Sequence, residues 1–247
     1  MNTDKFLENP GRYFDGSYQQ FVAFGGPCVY FHEQCLRAGA DAFMSARHIE
    51  MLYATLTAWG MHRMGDGKTK LVSWDRLSKS LLEQKTVLEP LRGRRMMELS
   101  EPEYLEAIDR IKPAYCALRI SISEASIVAN SKALFHVLPE LVPPIDRQYT
   151  WRFFHAAPER WRGSKGKYRA VQLPQGLECQ FAAFRDICLR IKRLADAVGR
   201  TRIEAERETH GVVPPKAVDN AIMNYIRLHG VAINAENDLA PAETIPL

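Results

Sequence analysis

No apolar run in this 247-residue chain approaches the roughly 20 residues needed to span a bilayer, which excludes an ordinary transmembrane helix. The opening MNTDKFLENPGRYF has neither the apolar core nor the cleavage site of a secretory signal, so a cytoplasmic protein is expected. Cysteine is scarce and unpaired in pattern. The five residues at 28, 35, 116, 179 and 188 are odd in number and contain no CxxC, which argues against a disulfide framework and for reduced thiols. Clean apolar/polar alternation over five or more residues is nearly absent, which disfavours a β-rich fold. There is no internal repeat, low-complexity tract or obvious linker, so solenoids and cleanly separated domains are also disfavoured. Net charge is only +4 and by itself says little about partners.

What is present is helical periodicity in a chain that is 46% hydrophobic, long enough for a packed core and near the upper size that one core serves. The expectation is an all-α protein, with residues 1–232 forming one helical domain or two intimate lobes around a cleft and residues 233–247 forming a flexible acidic tail. In SARHIEMLYATLTAWGMHRMG, Ser45 can cap, Ile49, Leu52, Tyr53 and Leu56 repeat at helical spacing, and Gly65 can close the end. A second helix opens at Ser73. A third begins with Pro102 in its first turn and stops near Pro113. Further helices are predicted over 114–120, 124–138, 147–155, 177–198, 200–208 and 215–229, with GSKGKYRAVQLPQG as the one long irregular stretch, extended near Tyr168 to Leu173.

Three clusters carry candidate chemistry. Cys28, His32 and Cys35 fall at i, i+4 and i+7 on one helical face, either as zinc ligands or as core, and structural zinc sites favour closely paired ligands on turns. The neighbouring Gly25-Gly26-Pro27 could bring a helix N-terminus close to a phosphate. At the end of the Ser45 helix, Trp59 (or Met61) could stack on an extruded base while His62 or Arg63 reads its polar edge; the structural alternative is core packing and complementation of the helix dipole. From Arg147 to Arg169, seven Lys or Arg residues face the single acid Glu159 and alternate with aromatic rings. Arg160, Arg162, Lys165, Lys167 and Arg169 there suit a phosphate backbone, although a solvated basic loop has the same composition.

The fourth feature is SKALFHVLPELVPPIDRQYTWRFF. Lys132 is the only Lys, Arg, Asp or Glu between Ala125 and Pro139, on a helix whose Ile127, Leu134, Val137 and Leu138 form an apolar face. Its ammonium either snorkels to water or sits in a partly dry pocket, where desolvation favours the neutral amine. After Pro143 and Pro144, which cannot continue a helix from upstream, Asp146 falls at the predicted N-cap of the next helix, with Arg147, Gln148 and Tyr149 in its first turn. Capping and the helix dipole keep such a carboxylate ionised, and capping alone is worth about 1 kcal/mol. An ionised, immobile carboxylate is also what stabilises the oxocarbenium character of a sugar losing its base.

A helix carrying a lysine, a proline loop and an aspartate with an arginine behind it resembles the core of the helix-hairpin-helix DNA glycosylase superfamily, carried here by SKALFHVL and VPPIDRQYTWRF over about 30 of the 247 residues. The resemblance implies Asp146 as the catalytic residue and Lys132 as the residue that forms a Schiff base in members that also nick the strand. Arg147, Tyr149 and Trp151, with Trp59, His62 and Arg63, become base-binding candidates. Ser126-Ile127-Val128-Ala129-Asn130 stands where the family has its glycine-rich hairpin, and no cysteine quartet for an iron–sulfur cluster follows. The expected protein is a monomer that needs no metal or organic cofactor, makes no membrane contact and acts on duplex DNA with an extruded base. The alternatives are a non-catalytic nucleic-acid-binding or regulatory helical protein and a helical enzyme with a small-molecule substrate.

Overall fold

A computed structural model describes residues 2–61, 69–122, 126–156 and 172–230 of the chain. The first half contains α1 (Asn2–Glu8), α2 (Gly11–Phe14), α3 (Ser17–Val22), α4 (Gly26–Asp41), α5 (Ala46–Leu56), α6 (Trp74–Leu82) and α7 (Lys85–Leu88). The second contains α8 (Glu101–Ala117), α9 (Ser126–Val137), α10 (Thr150–His155), α11 (Leu177–Val198), α12 (Arg200–His210) and α13 (Pro214–Gly230). The fold is all-α. Among the described residues extended pairing is confined to one antiparallel bridge between Leu71 and Ser121, and no helix is long and apolar enough to cross a membrane.

Local rules explain several boundaries. Ser45 Oγ accepts the His48 N–H at 3.2 Å and starts α5. The Glu103 carboxylate accepts from both N–H and Oγ–H of Ser100, which fixes the start of α8. Helix α11 lies between Gly176 and Gly199, both at positive φ.

Several boundaries differ from expectation. Helix α8 does not stop near Pro113 but runs through it to Ala117, absorbing most of the separate helix expected over 114–120. Pro113 and Asp109, whose carbonyl loses its helical donor, are exposed. Water can satisfy that carbonyl, while Ile108, Ile111, Ala114 and Tyr115 on the opposite face are fully buried and hold the helix together. The Ser45 helix loses regular geometry earlier than expected, in a wide turn over Thr57–Met61 where Gly60 has φ +82°. Its expected stop at Gly65, most of the extended segment near Tyr168 and the acidic tail lie outside the described residues. Ser73 precedes α6 without a side-chain capping bond.

Buried side chains form a continuous cluster from Phe6 to Ile226. Within it Phe6 stacks on Tyr13 at 4.9 Å between centroids and Phe153 meets Tyr225 edge-on at 5.1 Å, fastening α1, α2, α10 and α13 together. Helix α9 is buried on nearly every side, from Ala129 through Val137. It packs against α4, α5 and α11. A helix enclosed this way offers its few polar side chains only to the protein interior or to a cavity.

Candidate active site

Asp146 follows the buried Pro143-Pro144 segment. It caps a turn rather than a helix: its Oδ1 accepts the Gln148 N–H at 2.8 Å and its carbonyl accepts the Trp151 N–H at 2.9 Å, while α10 begins only at Thr150. This corrects the expected helix start at 147. Lys132 Nζ, from α9, lies 3.0 Å from Asp146 Oδ2, with 9% of the lysine side chain and 31% of the aspartate side chain exposed. The pair therefore combines a nearly dry ammonium with a carboxylate that still has an open side. Burial pushes the Asp146 carboxyl up, but the Lys132 charge and the N–H groups of Gln148 and Tyr149 outweigh it and hold it below the usual carboxylate value.

The open side faces a cavity of about 330 Å³, at the lower end of the roughly 300–1,000 Å³ typical of small-ligand sites. Its walls are largely aromatic or apolar: Phe21 and Phe24 come from α3 and the loop after it, Trp59 from the bend after α5, Tyr149 from the turn before α10, and Met223 from α13. A second ion pair lines the same cavity. Lys216 Nζ lies 2.7 Å from Asp219 Oδ2 on α13, and each side chain is only 4% exposed. Thr150 joins the two pairs, since its Oγ1–H donates to Asp219 Oδ1 at 2.8 Å and its Oγ1 accepts the Asp146 N–H at 3.4 Å. Both ammoniums lie near the Trp59 ring, Lys132 at 5.8 Å and Lys216 at 5.4 Å from its centroid.

Behind this wall runs a buried histidine chain whose tautomers follow from its partners. The Met44 N–H donates to His48 Nδ1 at 3.1 Å, so the other nitrogen, Nε2–H, donates to the His136 carbonyl at 3.1 Å. His136 Nδ1–H donates to the Lys132 carbonyl at 2.7 Å, which leaves its Nε2 to accept from His32 Nδ1–H at 3.0 Å. Burial lowers all three ring pKa values: His136 to about 3, His32 well below the usual value, and His48 in the same direction. Neutral rings are what the assigned tautomers require. The chain ends on the Lys132 backbone and so anchors the residue that carries the ammonium.

Of the residues expected in a site, Lys132, Asp146, Trp59 and Tyr149 converge on one cavity. Arg147 is exposed and outside the cavity lining. Trp151 is also outside the lining: it is buried, donates its Nε1–H to the Gln172 carbonyl at 3.2 Å and stacks on His155. His62, Arg63, Arg160, Arg162, Lys165, Lys167 and Arg169 lie outside the described residues. On α4, Cys28 Sγ donates to the Ala58 carbonyl and His32 is engaged by His136, so the expected i, i+4, i+7 face has separate partners. Among the described residues no group of three or more His, Cys, Asp or Glu is placed to hold a metal ion.

Lys216, Asp219, Phe21, Phe24 and His136 join the site without having been singled out in the sequence. A signal for the first two exists in VPPKAVD, which, like VPPID, places an acid shortly after a double proline and adds a lysine three residues before it in an apolar helix. Comparison with protein families, curated proteins and solved structures gives no match for the chain. The chemistry therefore rests on the cavity itself: one partly open carboxylate, two lysines and a set of flat aromatic walls.

Proposed function

We propose that the protein is a DNA glycosylase-like enzyme that hydrolyses the N-glycosidic bond of a damaged or modified nucleobase extruded from duplex DNA. The observation that carries the reading is the Asp146 carboxylate, held ionised at the wall of an aromatic cavity and paired with Lys132 at 3.0 Å. As the bond between C1′ and the base breaks, its electron pair leaves with the base and the sugar gains positive charge. A fixed carboxylate beside C1′ stabilises that charge without having to reorganise. Water then adds to C1′, its proton passes to Asp146, and the departing base takes up a proton to complete the hydrolysis.

Lys132 gives a second route. With its proton passed to Asp146, the neutral amine attacks C1′ as the C1′–N bond breaks, and the base leaves with that electron pair and takes the proton from Asp146. One amine proton then moves to O4′ as the C1′–O4′ bond opens, and the resulting Schiff base permits elimination of the 3′ phosphate and a strand nick. Trp59 and Tyr149 supply flat surfaces for a base removed from the helical stack. The biological setting proposed is base-excision repair or defence against phage DNA carrying modified bases, with the protein acting as a monomer.

The test is incubation of the protein with duplexes carrying a panel of lesions and modified cytosines, followed by alkali treatment to reveal abasic sites. Asp146→Asn should abolish alkali-sensitive breaks while DNA binding, measured at low salt, persists. Borohydride should trap a covalent adduct that disappears in Lys132→Ala if the second route operates. Absence of breaks on every duplex, or breaks that survive Asp146→Asn, would overturn the reading.

A further inference from the structure

We infer that Lys216 is a specificity-determining residue: its ammonium donates to an exocyclic oxygen of the bound base, so the cavity selects oxo-bearing bases over their amino-bearing counterparts. This rests on the nucleobase reading above and adds the substrate class.

Lys216 is an expensive residue to bury. Ion pairs as enclosed as Lys216 and Asp219, each 4% exposed, are often replaced by apolar residues with no loss of stability, so fold stability alone does not account for one in a cavity with mainly apolar walls. The pair is also unbalanced in hydrogen bonding. Asp219 has a donor on each oxygen, Lys216 on Oδ2 and Thr150 on Oδ1. Lys216 has three N–H groups, and among the described residues Asp219 is their only hydrogen-bond acceptor. Beyond that bond, the ammonium lies 4.6 Å from the Phe21 ring centroid and 5.4 Å from that of Trp59, and both rings line the cavity. The spare capacity on this wall is therefore donor capacity on a positive charge.

A flat ring entering between these aromatic walls would meet that charge at its edge. An exocyclic oxygen accepts a charge-assisted hydrogen bond there. An exocyclic amino group places N–H against N–H and leaves buried donors without acceptors, which is the stronger form of discrimination. The same contact would strengthen during reaction. As the C1′–N bond breaks, its electron pair delocalises onto the base and that oxygen, next to Lys216, while the sugar cation forms beside Asp146. The base anion then takes the proton that the attacking water has given to Asp146. Cation and anion would thus each meet a fixed charge of opposite sign.

The experiment is calorimetric titration of the full-length protein with free hypoxanthine, adenine, uracil and cytosine, using the wild type and Lys216→Met. Expected is binding of hypoxanthine over adenine, or of uracil over cytosine, by at least about tenfold, the order expected from one hydrogen bond to a charged donor. Lys216→Met should abolish the difference while leaving ring binding. Equal or tighter binding of the amino-bearing base, a preference that survives Lys216→Met, or no binding of any of the four would overturn the inference. Should Lys216→Met fail to fold, judged by circular dichroism, the wild type compared on hypoxanthine and unsubstituted purine decides: equal affinity overturns it. Selective base binding without alkali-sensitive breaks on any duplex would refute the glycosylase and keep the oxygen-selective pocket. Asp146-dependent breaks without base selectivity would do the reverse.

Discussion

Lys132 Nζ and Asp146 Oδ2 stand 3.0 Å apart although one belongs to α9 and the other to the turn after a double proline. The ion pair is therefore both a chemical group and a tie between two separately built segments. Removing either member leaves the other beside a mostly dry wall with an unanswered charge.

A double-mutant cycle follows from that relationship. Lys132→Met and Asp146→Asn should each cost about 1–3 kcal/mol, less than a fully buried pair because the aspartate side chain is 31% exposed. The double variant should cost clearly less than the sum. Urea denaturation of the four proteins measures the coupling, and additivity within about 0.5 kcal/mol would show that the pair contributes little to stability.

Acid should weaken the fold in two stages. His136 titrates near 6.5 when unfolded and at about 3 when folded, so between these values only the unfolded chain takes the proton. Its contribution is fully present above about pH 6.5 and declines as the pH falls toward about 3, by roughly 1.4 kcal/mol per pH unit. Asp146 has the depressed-carboxylate sign. Its contribution is fully present above the unfolded value near 3.9 and declines as the pH falls from there through the lower folded value. Urea midpoints between about pH 7 and pH 5 should fall in the wild type and fall less steeply in His136→Gln; identical slopes would mean that His136 does not contribute to the pH dependence.

Gly39 on α4 marks a close approach to α5. A Cβ there would lie 2.7 Å from His48 Cε1, and the ring cannot easily retreat because it is bonded to both the Met44 N–H and the His136 carbonyl. Gly39→Ala should lower stability by about 1–3 kcal/mol despite the better helix propensity of alanine. A melting temperature at or above that of the wild type would contradict the rigidity assigned to His48.

Gly60 poses a different constraint. Its φ of +82° is unfavourable for other residues, although a Cβ would meet nothing within 4 Å. Gly60→Ala should cost about 1–2 kcal/mol through backbone strain and displace the adjacent Trp59. Base binding should then weaken by more than the stability loss alone accounts for, as titration at a temperature where the variant is fully folded would reveal.

Much of this architecture could be read from local signals. Ser45 caps α5 and α11 spans 177–198, both as local signals predict, and Lys132 and Asp146 stand out in the sequence by their apolar and double-proline surroundings. What escaped reading depended on partners far away in sequence. Pro113 breaks helices locally, yet the apolar face around it carries α8 onward. Asp146 looked like a helix cap, but α10 begins at Thr150, whose hydroxyl binds Asp219 across 69 residues of chain. The Lys216–Asp219 pair has the i, i+3 spacing of any surface helix pair; burial, which spacing does not encode, gives it a different meaning.

The enclosure of α9 has a consequence for how this cavity could diversify. Lys132 sits on a helix with core on almost every side, and its backbone carbonyl is held by the histidine chain, so altering that wall means rebuilding the interior. Phe24 and Tyr149, by contrast, lie in connections between helices, over residues 23–25 and 138–149. A changed ligand preference would therefore be acquired most cheaply at those two side chains, with the charged wall inherited intact.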